Sequence, residues 1–248
     1  MFRGMLRCYD YIFVQDDASL EMLRSIGVDN AMVAGDTRFD RVTDIRRAAT
    51  PLPSVEAVFA EPAFTFVAGS SWEQDEDIYM VWLNRHPEVR SIIAPHEFNP
   101  ERLEKMRKRL GPGTVLLSEL DEMAARGEKP QGVRHIIVDC FGKLSSLYRY
   151  ASVAYVGGGF GAGLHNINEA AVYGVPVVYG PNHKKFKEAI DMAACGGGRP
   201  VESREEFERT MDGLLADEGE RTARGEKAAA YIESQIGATD KIFSKIFG

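Results

Sequence analysis

From Phe64 onward, short β-rich runs alternate with helical stretches, and this alternation predicts an α/β fold: a Rossmann-like parallel sheet with helices on both faces. Two further observations agree with it. The 248 residues, 44% hydrophobic and 27% charged, are enough to bury one large core. Glycine-rich or hydroxyl-rich turns also follow several candidate strands, at the ends where such sheets hold their ligands.

At the N-terminus, residues 11–14 read as a short buried strand. A helix over about 18–26 follows and stops at Gly27, a residue suited to a left-handed helix end. A second strand is expected over 30–34. Residues 48–62 carry three prolines without sustained periodicity, which predicts a linker. The expected division is therefore 1–45 as the tail of another domain, 46–62 as linker and 63–248 as the main domain. Strands of the main domain are expected at 65–68, 91–94, 114–117, 135–138, 153–156 and 175–179. The helices between them rest on apolar spacing such as Leu103, Met106 and Leu110, and on a capping box at Ser203 and Glu206 ahead of Phe207.

Bulk properties exclude several classes of function. A net charge of -7 argues against a nucleic-acid binder, because neutralising phosphates requires clustered Lys and Arg, so an anionic ligand must be met locally. Cys8, Cys140 and Cys195 lie far apart without CxxC spacing, which predicts neither a disulfide framework nor a zinc site and fits a reducing cytoplasm. No apolar run reaches the roughly 18 residues a membrane span requires, and the opening residues lack the apolar core of a signal peptide. Membrane contact is expected to be peripheral.

The chemistry concentrates at the strand ends. After the fifth main-domain strand comes Gly157-Gly158-Gly159-Phe160-Gly161-Ala162-Gly163, then Leu164-His165-Asn166-Ile167-Asn168-Glu169, whose second half reads as a helix start. Glycines let backbone N–H groups approach an anion, and a helix N-terminus adds positive dipole. The dinucleotide fingerprint is absent, since the loop follows the fifth strand rather than the first. Glu169 is suited either to a ribose diol or to a capping contact. His165 either stacks on or donates to a phosphate, or caps the helix. Gly69-Ser70-Ser71 follows the first main-domain strand and offers hydroxyls and helix-start amides to a phosphate, whereas Glu73, Asp75 and Glu76 suit the helix dipole alone. His96 and Arg102 follow the second strand, where a cation can meet a phosphate, and Arg102 reads equally as a surface helix residue. Lys184, Lys185 and Lys187, after Gly180-Pro181, fit either a binding turn or a solvated basic face.

Taken together, these runs resemble the 3-deoxy-D-manno-octulosonic acid (Kdo) transferase family, along nearly the whole chain. The family's G-S-T-H-x-G-E-E is matched by Gly69-Ser70-Ser71-Trp72-Glu73-Gln74-Asp75-Glu76. Its D-T-x-G-E-L-x-x-x-Y-x-x-A-D-V-A-F-V-G-G-S stretch is matched in register from Asp139 to Gly159. G-G-H-N-x-x-E-P-A corresponds to Gly163 through Ala171, and G-x-P-V-x-x-G-P-H-x-x-N-F-K-E to Gly174 through Glu188. The V-x-G-N-x-K-F-D hinge is matched by Val33 through Asp40. The chain departs from P-R-H-x-E-R, reading Pro95-His96-Glu97 with extra residues before Glu101 and Arg102.

The resemblance implies the C-terminal domain of a GT-B fold, in which two Rossmann-like domains face a cleft, plus a short remnant of the N-terminal domain. It implies a donor site for CMP-Kdo, with Gly69, Ser70, Ser71 and Gly157, Gly158 and Gly159 at the phosphate and Asn166 and Glu169 at the ribose or sugar. His96 or a shifted Arg102 would replace the family arginine, and His165 belongs to the same site. The implied reaction is inverting transfer of Kdo to a lipid A precursor, with the leaving phosphate stabilised by amides from the glycine loop and from helix starts at Ser71 and Asn166. No cofactor is expected, and no metal, because no DxD-like motif ends a strand. The acceptor site, the membrane-facing patch and the general base belong to the family's N-terminal domain, which lies outside this chain, so weak or no turnover is expected from the chain alone. In the full-length protein the resemblance implies a cytoplasmic location, peripheral at the inner membrane. The alternatives are another GT-B enzyme using a UDP-sugar, a transferase or an epimerase, and a noncatalytic nucleotide-binding module.

Overall fold

Runs of Val, Ile, Ala and aromatic residues with no polar alternation make strands that are buried on both faces, and these build the core. The computed structural model describes residues 2–59, 61–128, 130–161 and 163–248. In chain order its elements are α1 (Phe2–Leu6), β1 (Ile12–Val14), α2 (Asp17–Ser25), β2 (Ala31–Val33), α3 (Thr37–Ala48) and α4 (Pro53–Val58). They continue with β3 (Thr65–Ser71), α5 (Glu73–Arg85), β4 (Arg90–Pro95), α6 (Pro100–Leu110), β5 (Thr114–Leu116), α7 (Leu117–Ala125), β6 (His135–Ile137) and α8 (Leu144–Leu147). The remainder is β7 (Val153–Val156), α9 (Asn168–Ala171), β8 (Val177–Tyr179), α10 (Lys187–Cys195), β9 (Gly198–Pro200), α11 (Arg204–Ala216), α12 (Glu218–Ser234) and α13 (Ala238–Phe247). No helix among the described residues is long and apolar enough to cross a membrane.

The chain divides into two compact units, Met1–Asp44 with Ile232–Gly248, and Ile45–Tyr231. In the first, β1 pairs in parallel with β2, Ile12 opposite Ala31. Asp16 caps α2 by accepting from the Ser19 N–H at 2.7 Å, and Gly27 leaves the helix at φ 72°, as its residue type predicts. The expectation that 63–248 forms one domain is corrected at its end. The Asp40 carboxylate accepts from Gly237 N–H at 2.7 Å, Thr239 N–H at 2.8 Å and Thr239 Oγ1 at 2.9 Å, and this cap ties residues 232–248 to the first unit.

In the second unit, seven parallel strands run in the order β5-β6-β4-β3-β7-β8-β9. The chain winds outward from β3 to one side, then returns to place β7 on the other. The topological switch point therefore lies between β3 and β7. Phe66 of β3 sits at the centre of the core, with ring centroids of Tyr79, Trp82, Tyr155 and Phe207 at 5.3–6.3 Å. All five are fully buried. The Trp82 indole N–H is kept satisfied by Asp212 at 2.6 Å.

Three further expectations are corrected. The linker over 46–62 is docked structure, apart from Ala60, which lies outside the described residues. Residues 46–48 complete α3, and α4 opens with Pro53, whose missing N–H costs nothing in a first turn. Leu52 donates its N–H to Tyr150 Oη at 2.8 Å, and Val55 is fully buried. β9 was not expected, because Gly-Arg-Pro has little strand propensity and pairs only by virtue of its place beside β8. Ser203 caps α11 by accepting from Glu206 N–H at 3.2 Å, but Glu206 returns its carboxylate to Glu202 N–H at 2.9 Å rather than to Ser203.

Between β4 and β6, Ser91 Oγ and His135 Nδ1 lie 2.7 Å apart, and His135 Nε2 has no partner among the described residues. Burial, with a smaller contribution from the Arg134 charge, pushes His135 down to about 4. As pH falls below the ordinary imidazole value of about 6.5, the unfolded chain takes up the proton first, so stability is lost down to about 4 and then levels off. We predict that this residue contributes about 3 kcal/mol to the stability difference between pH 7 and pH 4. Urea unfolding at both pH values should show that difference shrinking in His135→Gln; an unchanged difference would refute it.

Candidate functional site

At the switch point, three loops approach so closely that side chains would not fit between them. A Cβ on Gly157 would meet the Ser70 carbonyl oxygen at 2.4 Å, and one on Gly159 would meet the Gly180 nitrogen at 2.6 Å. A Cβ on Gly158 would lie 2.1 Å from the Gly163 carbonyl oxygen, and one on Gly69 would lie 1.9 Å from Tyr148 Oη. Ala162 lies outside the described residues. The glycine run is thus first a packing requirement of the β3, β7 and β8 ends. Ser70, between Gly69 and Ser71 in a β-bulge, has φ 52°, the one positive φ among the described non-glycine residues. Strain of this kind collects at functional sites. The Ser70 side chain is half-buried and takes no hydrogen bond from the described residues.

One carboxylate organises the loops. Asp75, fully buried, accepts from Trp72 N–H at 2.9 Å, Gly158 N–H at 2.8 Å and Tyr155 Oη at 2.7 Å. Burial first, and then the Asp75 charge, raise the Tyr155 pKa far above the usual phenol value, so Tyr155 remains a donor. Asp75 therefore does more than meet a helix dipole. Its importance was hidden in the sequence because its partners come from β7 and its loop, some 80 residues away.

Several anticipated contacts are corrected by these placements. The Gly157 N–H is already bonded to the Gly69 carbonyl at 2.9 Å and the Gly158 N–H to Asp75, so of the three loop amides only that of Gly159 lacks an acceptor among the described residues. Ser71 is fully buried in β3, its hydroxyl accepting from Tyr79 Oη at 2.9 Å, and α5 begins at Glu73 with Trp72 as N-cap. The helix expected at Asn166 is the four-residue α9, starting at Asn168, so His165 is not its cap. Arg102 is not a plain surface residue but is partly buried and ion-paired, with its Nε left without a hydrogen-bond partner among the described residues. Its guanidinium donates to Glu76 at 2.7 Å, with side-chain exposures of 14% and 2%, and also reaches the Ser71 carbonyl at 3.4 Å. Burial raises the Glu76 pKa against the opposing pull of Arg102. A hollow of about 790 Å³ opens beside Arg102, but Lys105, Lys108 and Arg109 in its wall are each paired with an acid as well. Lys187 is paired with Asp191, while Lys184 and Lys185 are exposed.

Two groupings remain at the cleft. The Asn166 carboxamide donates to Glu169 at 3.4 Å, and Ser145 of α8 donates to the other Glu169 oxygen at 2.7 Å. Both Asn166 and Glu169 are half-buried, and together they offer an acceptor and a donor to a polyol. The second grouping is aromatic: Trp72 packs on His96 with centroids 4.5 Å apart, and His96 stacks on His165 at 4.4 Å and 28°. The Trp72 indole N–H donates to His165 Nε2 at 3.2 Å. Burial, and then the nearby His96, lower the His165 pKa, while Asp75 and Glu169 pull weakly the other way.

Comparison with known proteins agrees with this architecture. No family model matches the chain. Over 249 residues it is 26% identical to a 3-deoxy-D-manno-octulosonic acid transferase of Bordetella pertussis, covering 96% of this chain and 56% of that protein. It is 26% identical to the enzyme of the same name from Rickettsia prowazekii, covering 74% of this chain and 39% of that protein. The chain thus spans roughly half of the curated relatives it matches, or less. Among solved structures, it is similar to the C-terminal CMP-Kdo binding domain of WaaA from Acinetobacter baumannii, with TM-score 0.56, 18% identity, and coverage of 79% of this chain and 97% of that one. HepE of Anabaena in complex with UDP gives TM-score 0.53 at 12% identity, over 99% of this chain and 68% of that one.

The parallel sheet, its switch point and these likenesses define the class: the fold is that of the C-terminal, Rossmann-like domain of GT-B glycosyltransferases. Within that class the sequence resembles the Kdo transferases, as its motifs implied.

If Asp75 is the tie between the loops, Asp75→Ala leaves the buried Tyr155 hydroxyl and Gly158 N–H and the part-buried Trp72 N–H unpartnered. At about 1–3 kcal/mol for each buried group, the variant should lose at least about 2 kcal/mol in urea unfolding. A loss below about 1 kcal/mol would show that the loops hold without it.

Proposed function

We propose that this chain is the donor-binding half of a Kdo transferase, holding CMP-Kdo while Kdo is transferred with inversion to a lipid A precursor in lipopolysaccharide biosynthesis. The observation that carries the reading is the likeness to Kdo transferases over 96% of the chain. The cleft supports it with neutral and acidic groups suited to a nucleotide sugar. Asn166 and Glu169, steadied by Ser145, are assigned to the hydroxyls of the ribose or sugar. The Ser70 hydroxyl, the Gly159 N–H and the His96–His165 pair are assigned to the phosphate. Gly69, Ser71, Gly157, Gly158 and Arg102 act behind them, shaping the loops rather than touching the donor.

In the reaction an acceptor hydroxyl attacks the anomeric carbon as CMP departs, and negative charge collects on the leaving phosphate. Donors fixed by packing before that charge develops stabilise it without reorganising. The acceptor site, the general base and the peripheral contact with the cytoplasmic face of the inner membrane are assigned to the half of the relatives that this chain does not span. The chain alone should therefore bind the donor better than it turns it over.

Calorimetric titration with CMP, against UMP, UDP and NAD, tests the reading. We expect selective CMP binding that weakens about tenfold or more in both Asn166→Ala and Glu169→Ala, the loss of a charge-assisted or paired hydrogen bond to the ligand. Preference for UDP would favour a UDP-sugar enzyme of the same fold. CMP binding that never leads to transfer, even with the N-terminal half of a relative added, would favour a noncatalytic module.

A further inference from the structure

Two of the positions at which the chain departs from the family's motifs are in contact. Trp72 stands where the G-S-T-H motif has histidine, and His96 where P-R-H has arginine. Their rings pack on each other and on His165, with successive centroids 4.5 and 4.4 Å apart. We infer that Trp72 is a positioning residue for the donor phosphate: its indole N–H holds His165 in the neutral tautomer protonated on Nδ1, and that Nδ1–H is the donor His165 presents to the phosphate. This inference rests on the nucleotide-sugar reading above.

An indole N–H can only donate, so the 3.2 Å contact from Trp72 Nε1 requires a lone pair on His165 Nε2. A neutral imidazole with a bare Nε2 carries its proton on Nδ1, as when a second group fixes the tautomer of a catalytic or ligating histidine. Among the described residues the side-chain hydrogen bond of His165 is the one at Nε2, and the ring is half-buried, so the Nδ1–H is left for a ligand. The ring cannot turn over easily. Its backbone N–H is bonded to the Gly157 carbonyl at 3.1 Å, and His96 covers one face. Trp72 is fixed in turn, because Asp75 accepts its backbone N–H at 2.9 Å. The titratable groups around His165 are His96, Asp75 and Glu169, and together with burial they leave it below the ordinary imidazole range.

The test has two readouts on the full chain. In long-range 1H–15N spectra at neutral pH, His165 is assigned by the signal lost in His165→Gln. The native chain should show the Nδ1-protonated pattern, and Trp72→Phe, which keeps a ring for His96 but removes the N–H, should shift it toward the Nε2-protonated form. In titrations, Trp72→Phe should weaken CMP about tenfold while leaving cytidine unchanged, the loss of one hydrogen bond to a charged group. An Nε2-protonated His165 in the native chain overturns the inference, whether or not Trp72→Phe folds. Equal weakening of CMP and cytidine overturns it too, by making Trp72 merely structural. A native chain with Nδ1–H but no affinity for CMP would instead overturn the donor reading, and the phosphate assignment with it.

Discussion

The buried carboxylate of Asp75 is the constraint on which the cleft depends. It closes the first turn of α5 through Trp72, accepts the Gly158 amide from the loop after β7, and takes the Tyr155 phenol from β7 itself. Three donors converging on two oxygens leave a buried charge well compensated, which is the condition for such a group to stabilise rather than disrupt. The ends of β3 and β7 are thereby held on either side of the switch point, and Ser70 is held in a left-handed conformation between them.

The glycines make this convergence sterically feasible. At Gly157, Gly158 and Gly159 an added methyl would collide with backbone of the neighbouring loops, a contact that side-chain motion cannot relieve. The same packing consumes the amides of Gly157 and Gly158. The groups this packing leaves open are fewer: the Gly159 amide, the Ser70 hydroxyl and the imidazoles of His96 and His165, to which the proposed donor site assigns the phosphate. Arg102, the obvious cation nearby, compensates Glu76 in the interior, where removing either partner would leave a buried charge alone.

Much of the fold was legible in the sequence because it rests on local signals. Apolar runs located six of the seven strands of the large sheet, and the in-register stretch from Asp139 to Gly159 pointed to the family. The errors have a common origin. β9 has no intrinsic strand preference, residues 232–248 are held by the distant Asp40, and the linker is a docked helix.

The sequence by itself determined the order of most strands and helices and the glycine- and hydroxyl-bearing loops at their ends, since each follows from composition or spacing along the chain. Only the tertiary structure decided which polar groups in those loops are already partnered. Ser71, Arg102 and the Gly157 and Gly158 amides are bonded within the fold, whereas Trp72 meets His96 and His165, which come from the loops after β4 and β7. A hydrogen-bonding group's availability depends on what lies within about 3 Å of it, and residues far apart in sequence set that distance here.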